Sequence, residues 1–331
     1  MAGITLALDS HHAGLHHAGL LHGFIYRPTL LFQTYHVGVM MPCVLKANVH
    51  DLHQAILNGM EDTVHDILEQ DTVNLNATIC GTTALSLALY KERASIFEML
   101  LCHKCARNRL DLNKLSKDEK QRVEPPLITA CRLGNKQAVR LLVKNGANLD
   151  CMDNFQHTAI WMATRQRYID LVQLLIRSGA SVNPSNLWTH SPLFFAVKYS
   201  SKRTEIAKML IYSGADVEVQ SSMSLLYCAI VQGDIYVAKL VVEAGYNASK
   251  DEKARQEVNS GVLTRNKELL QWLSQEMCHP ASLQRQCRTT IRRTLTHNAK
   301  GRSFLGHLAQ LPLPRSVLNY LALNEKAWET M

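Results

Sequence analysis

Aromatic residues make up only 6% of this 331-residue chain, too few to fill the facing layers of a β-sandwich, while the abundant Ala and Leu favour helices. Cysteine is present without forming a framework. Its nine copies, an odd number scattered from Cys43 to Cys287, exclude the paired spacings of a small secreted scaffold and point to a reduced, intracellular chain. No positively charged leader precedes an early apolar run. The nearest approach to a membrane span, Pro28 to Leu45, is interrupted by Gln33, Thr34 and His36 and bounded by Pro28 and Pro42. A bilayer needs about 20 predominantly apolar residues, so no transmembrane helix is expected and the cytoplasm, with the nucleus open, is the expected location.

The machinery of several enzyme classes is missing too. There is no Gly-rich phosphate loop, no carboxylate dyad and no nucleophile elbow. Cys102-His103-Lys104-Cys105 has the spacing of half a zinc site, but no second such pair follows at a suitable distance. His12 and His16 stand four apart, and neither a carboxylate nor a cysteine completes a set around them. Neither a metal nor a cofactor is therefore expected. A catalytic thiol needs a positioned base or a positive field. Cys287 falls on an apolar stripe instead, which predicts a buried small hydrophobe. The chain is expected to be non-catalytic.

The net charge is +8, and from Pro280 onward eight Lys or Arg stand against two Glu, which places +6 of it in the last 52 residues. Alone, such a tail would suit nucleic acid or an acidic membrane. Its internal arrangement suggests otherwise.

At this length one compact core is unusual, and two units or an elongated array are expected. An alanine recurs at Ala55, Ala88, Ala130, Ala163, Ala196 and Ala229, at intervals of 33, 42, 33, 33 and 33. Each is followed by paired apolar residues such as Leu141-Leu142, Leu174-Leu175 and Met209-Leu210, and the last four then by Gly146, Gly179, Gly214 and Gly245. The small alanine permits close helix packing, the apolar pair faces the next unit, and the glycine closes the second helix. No unit buries its apolar face alone, so stacking supplies the core.

Ser191-Pro192-Leu193-Phe194 and Thr158-Ala159-Ile160-Trp161 make this pattern resemble the ankyrin family, over residues 48–275. Six repeats are clear, and a degenerate seventh lies around Val258 to Leu273. Arg167 and Ser200 replace the usual Gly in two of them. Residues 104–124 carry a nine-residue excess, rich in charge and predicted to be a solvated excursion. Residues 1–47 do not fit the repeat and read as an N-terminal extension, disordered or loosely attached.

From Ser282 the pattern changes. Leu283, Cys287, Ile291 and Leu295 fall four apart and form a slanted apolar stripe on a helix. Arg285, Arg288, Arg292 and Arg293 lie off that stripe, which predicts them to be the solvated side. After Lys300-Gly301 an apolar segment, Phe304 to Leu308, leads into Leu311-Pro312-Leu313-Pro314. There the prolines fix an extended entry to a last helix.

The spacing of Leu283, Cys287 and the Leu311-Pro312-Leu313-Pro314 run resembles a SOCS box, here over residues 280–324. The fold implied is all-α, an ankyrin-repeat solenoid followed by a small three-helix SOCS box. The resemblance implies that Leu283 and Cys287 insert into elongin C, with Ile291 and Leu295 on the same face and elongin B alongside. It also implies that Leu311, Pro312, Leu313 and Pro314 favour the cullin five class of scaffold with its RING protein. The chain is thus similar to ankyrin repeat and SOCS box proteins, substrate receptors of ubiquitin ligases. An ankyrin scaffold that sequesters a partner without ubiquitin transfer is the alternative, and neither nucleic acid nor membrane is an expected partner.

A protein substrate would meet residues that recur across neighbouring repeats. Phe155 and Trp188 share one turn position, and Arg132, Arg165 and Lys198 share one inner-helix position, with Leu133, Gln166 and Tyr199 beside them. The rows predict a basic, aromatic-edged stripe that receives an acidic or acidic-aromatic segment.

Overall fold

The computed structural model describes residues 47–323 except 71, 104–109, 185–190, 200–203, 219–222, 260–266 and 279–280. His12, His16, the Pro28 to Leu45 stretch, Cys105, Trp188 and Ser200 lie outside the described residues.

Seven consecutive helix pairs are described: α1 (Val49–Asn58) with α2 (Glu61–Glu69), α3 (Ala84–Tyr90) with α4 (Ala94–Cys102), α5 (Pro126–Leu133) with α6 (Lys136–Lys144), α7 (Ala159–Gln166) with α8 (Ile169–Arg177), α9 (Pro192–Lys198) with α10 (Thr204–Tyr212), α11 (Leu225–Gln232) with α12 (Ile235–Glu243), and α13 (Glu252–Asn259) with α14 (Lys267–Cys278). The first helix of each pair packs on the first helix of the next, and through the middle of the array the second helices stack likewise. The six repeat alanines are all buried where these inner helices meet. A larger side chain there would hold neighbouring repeats apart.

The second helices show why each forms. In α6, Ala138, Val139 and Leu142 are buried while Arg140 and Lys144 are exposed, so one stripe feeds the core and the other meets water. Asn135 caps its start, its Oδ1 accepting from Ala138 N at 2.9 Å. Arg167 stands where other repeats carry glycine, yet it takes the same left-handed φ of 66°.

The excess between the second and third repeats corrects the sequence expectation. Its described second half is not a solvated excursion but a hairpin, β3 (Ser116–Lys117) antiparallel to β4 (Val123–Glu124), following a smaller hairpin of β1 (Thr78–Ile79) and β2 (Thr82–Thr83). The two hairpins are stitched together by Lys117 N to Gly81 O at 2.9 Å and Thr82 Oγ1 to Lys117 O at 2.7 Å. Asp118 and Glu124 are buried, which is tolerated because each carboxylate has donors in place. Asp118 accepts from the Lys120 and Arg122 amides, both at 2.8 Å, and from Arg122 Nε at 2.7 Å. Burial works against ionisation there, but the bonds and charge of Arg122 outweigh it and hold the carboxyl below the usual carboxylate range.

After the array come α15 (Leu283–Asn298), α16 (Leu305–Ala309) and α17 (Arg315–Ala322). They share a small separate core of Ala299, Phe304, Leu305, Leu308, Leu321 and Ala322. So few apolar residues give a marginal unit by themselves, and the box is instead fastened to the repeats. Among the described residues no helix is long and apolar enough to cross a membrane.

Candidate functional site

Helix α15 is mounted with its two faces exchanged relative to the sequence expectation. Arg288 and Arg292, predicted to be solvated, are only 6% and 4% exposed, while Leu283 is 76% exposed, Ile291 40%, and Cys287 is exposed as well. Cys287 is therefore not a buried small hydrophobe within this chain. Leu295 is half-buried against the core of the box.

The reason lies in what α15 crosses. It does not rest on an apolar surface but passes over the C-terminal ends of the second repeat helices, where the last carbonyls lack intrahelical donors and carry partial negative charge. Arg292 donates from Nη2 to Ile211 O and from Nη1 to Leu321 O, both at 2.7 Å, which satisfies the last turns of α10 and α17 together. Its guanidinium also lies 4.8 Å from the centre of the Phe304 ring. Desolvation, with a smaller push from Arg288, lowers its pKa to about 9, which leaves it ionised at neutral pH.

Arg288 donates to the Glu243 carbonyl at 3.1 Å, pairs with the Glu243 carboxylate and stacks on Tyr320 at 4.5 Å. Arg285 pairs with Glu276 and reaches Glu243 Oε1 at 3.3 Å, and Arg293 meets Glu218 at 2.6 Å. Four cations of the basic tail are thus engaged inside the molecule.

Two glycines let the box come this close. A Cβ on Gly214, whose φ is +95°, would lie 2.4 Å from Phe304 Cδ1, and one on Gly245 would lie 2.4 Å from Thr289 Cγ2. Gly301 O adds a backbone clasp, accepting from Val182 N at 2.8 Å and from Asn183 N at 3.2 Å. In the proline segment Leu311 packs half-buried on the box core, Pro312, Leu313 and Pro314 are exposed, and Pro314 caps the start of α17.

On the array, the three-residue basic stripe is reduced to two. Arg132 is turned inward onto Glu124, at 2.6 Å, by the hairpin that the excess residues build, and its charge is neutralised there. Arg165 lies over the Trp161 ring at 5.6 Å, and Lys198 over Phe194 at 5.9 Å and Tyr199 at 5.6 Å. Phe155 is 61% exposed on a turn that Asp153 holds through the Phe155 and His157 amides, both at 2.8 Å.

The structure joins these residues by side chains that the sequence reading passed over. His157 stacks on Trp161 at 3.6 Å, Trp161 leans on Phe195 at 5.1 Å, and Phe195 on Tyr199 at 4.7 Å. With Phe155 6.1 Å from the His157 ring, a continuous aromatic run links Phe155 to Tyr199 across the fourth and fifth repeats. Its signal was the placing of Trp161 and Phe195 one or two residues before a repeat alanine.

Comparison with known proteins adds the following. A model of ankyrin repeats in three copies matches residues 52–149, 103–186, 127–221 and 169–254, and a model of the SOCS box matches residues 279–322. A putative ankyrin repeat protein, L371, of Acanthamoeba polyphaga mimivirus is 28% identical over 139 residues, 41% of this chain and 18% of its own length. Another, FPV014 of Fowlpox virus, is 32% identical over 116 residues, 34% of this chain and 26% of its own length. The chain thus spans only a minor part of the length of these curated relatives. Among solved structures, an ankyrin repeat domain from Acinetobacter baumannii matches with a TM-score of 0.50 at 25% identity, covering 59% of this chain and 97% of that one. The ankyrin repeat domain of human ASB11 matches with a TM-score of 0.50 at 21% identity, covering 70% and 99%, which speaks for the fold alone.

Proposed function

The chain belongs to the family of ankyrin repeat proteins that carry a SOCS box, and on that premise we propose that it is the substrate-recognition subunit of an elongin-cullin-RING ubiquitin ligase. The observation that carries this reading is the outward apolar face of α15. Leu283 at 76% exposure, with Cys287 and Ile291 along the same side, is a stripe that the chain leaves open while it buries arginines on the other side. An exposed apolar stripe on a helix held rigid from behind is a docking element, and its residues coincide with those that the family presents to elongin C. Elongin B accompanies elongin C. The exposed Pro312, Leu313 and Pro314 form the proposed contact for a scaffold of the cullin five class with its RING protein.

The substrate is taken up on the array. Arg165 and Lys198, edged by Phe155 and Tyr199, receive an acidic or acidic-aromatic segment of a target protein, and Arg132 supports the hairpin beside them. Trp188, of the same turn row, lies outside the described residues. The chain contributes no chemical step. It holds a substrate lysine near a charged conjugating enzyme, which replaces a bimolecular encounter by an effectively intramolecular one.

Co-expression with elongin B, elongin C and a cullin tests this. The wild type recovers all three, Leu283→Pro/Cys287→Phe loses the elongins, and replacing Leu311 to Pro314 by alanines loses mainly the cullin. A wild type that recovers neither would leave a scaffold that holds its partner without ubiquitin transfer. For the substrate surface, Arg165→Glu/Lys198→Glu abolishes capture of the target, and unchanged capture refutes that part.

A further inference from the structure

Far from the box, at the start of the array, three metal-ligating side chains converge from helices distant in sequence. His65 and Glu69 are four apart on α2, and His103 is the residue that ends α4. Glu69 Oε1 is 3.1 Å from His103 Nε2 and 4.0 Å from His65 Nε2. The imidazole rings meet edge-on with centres 5.6 Å apart, and one ligand atom from each residue lies within 4.8 Å of the other two. We propose that His65, Glu69 and His103 bind a divalent transition metal of the zinc type through two imidazole nitrogens and one carboxylate oxygen, clasping the outer helices of the first two repeats.

Three observations carry this. First, the donor set and its spacing fit. Zinc bonds of about 2.0–2.1 Å in a tetrahedral site set neighbouring donors about 3.3 Å apart, and the two measured separations to Glu69 fall on either side of that value. Exposed His65 and Glu69 side chains close the remainder by small rotations, and the fourth position stays open to water.

Second, His103 behaves unlike its counterparts. The residues that end α6 and α8, Asn145 and Ser178, turn back to bond their own helices at 2.8 Å. His103 instead has extended backbone, φ −62° and ψ 134°, and reaches across to the preceding repeat.

Third, its ring is buried at the site. The side chain is 11% exposed, and Nε2 is the nitrogen that faces Glu69. Nδ1 is buried with no hydrogen-bond partner among the described residues, so packing and not a second hydrogen bond limits the ring. Cys102, which the sequence offered as half a zinc site, is exposed and is not part of this cluster.

The test uses the full chain stripped with a chelator and titrated with Zn²⁺ alone, following heat release and the thermal midpoint. His65→Ala and Glu69→Gln alter exposed groups and leave folding intact, so they serve beside His103→Ala. Wild type binds one zinc equivalent that each variant lacks or holds more weakly by over about tenfold, the lower range for losing even an outer ligand partner. Zinc raises the midpoint of the wild type and not that of His65→Ala. Substituted Co²⁺ gives the visible bands of a four-coordinate nitrogen and oxygen site without a thiolate charge-transfer band. Equal zinc affinity and stoichiometry in wild type and variants, or a thiolate band, overturns the assignment and leaves an imidazole-carboxylate pair.

Discussion

Helix α6 of the third repeat and helix α15 of the terminal box are both amphipathic, yet they are mounted opposite ways round. In α6 the apolar side chains Ala138, Val139 and Leu142 go inward and Arg140 and Lys144 face water. In α15 Arg288 and Arg292 go inward and Leu283, Cys287 and Ile291 face water. The difference comes from the surfaces beneath them. Helix α6 lies on apolar side chains of its neighbours, whereas α15 lies across helix ends that display carbonyls and the carboxylate of Glu243, with Glu218 on the loop after α10 beside them. Guanidinium groups, with several fixed donors and weak hydration, suit such a surface. Amphipathicity therefore establishes that a helix has two faces, and the chemistry of its bed decides which is buried.

The largest expected effect breaks the outward face. Leu283→Asp/Cys287→Asp lowers capture of elongin B and elongin C by about 100-fold or more, since anchor residues are worth upwards of about 2 kcal/mol each. The urea midpoint of the chain stays unchanged because neither residue packs within it.

Next comes the inward face. Arg292→Met leaves the buried carbonyl of Leu321 unpaired and that of Ile211 with only the Gly214 amide at 3.1 Å, and at about 1–3 kcal/mol for an orphaned group the box is destabilised by about 2–3 kcal/mol in urea unfolding. Arg292→Lys restores only part of this, because an ammonium lacks the fork that spans both carbonyls. Gly214→Ala attacks the same bed from below. Its methyl meets Phe304 and its backbone needs a positive φ, so a loss of about 2 kcal/mol is expected in the same assay.

The smallest effect sharpens the contrast with the hairpin of the third repeat, where the roles of the charges are reversed and carboxylates are inside. Asp118 has its pKa held below the unfolded value, so it contributes stability that is present above the unfolded pKa and is lost as pH falls through the folded one. Asp118→Asn removes about 1 kcal/mol at pH 7, because the charge-assisted bonds from Arg122 and the two amides become neutral ones. It also flattens the acid limb of the stability curve below the ordinary carboxylate range, measured by urea unfolding as the pH is lowered.

The repeat architecture was legible because a stacked array puts one constraint on every unit. The alanine at each inner-helix contact has to be small, so Ala55 to Ala229 mark the six pairs by spacing alone. The terminal box was legible through Leu283, Cys287 and the proline segment. What escaped were features set by neighbours distant in sequence. Arg132 aligns with Arg165 and Lys198 by repeat spacing, but Glu124 on an inserted hairpin claims it. The stripe position of Cys287 was read correctly, and its burial was not, because no periodicity reports that the bed of α15 is polar. His103 drew notice for its flanking cysteines, while its partners His65 and Glu69 lie a repeat away.

The most direct measurement is the alkylation rate of each cysteine, followed by mass spectrometry in the chain alone and with elongin B and elongin C bound. The account predicts that Cys287 reacts readily in the free chain and is shielded in the complex. Exposed Cys80, Cys102 and Cys278 stay reactive in both states, and buried Cys131 in neither. A Cys287 that is inert in the free chain, or equally reactive with elongins bound, would contradict the outward apolar face and the receptor built on it.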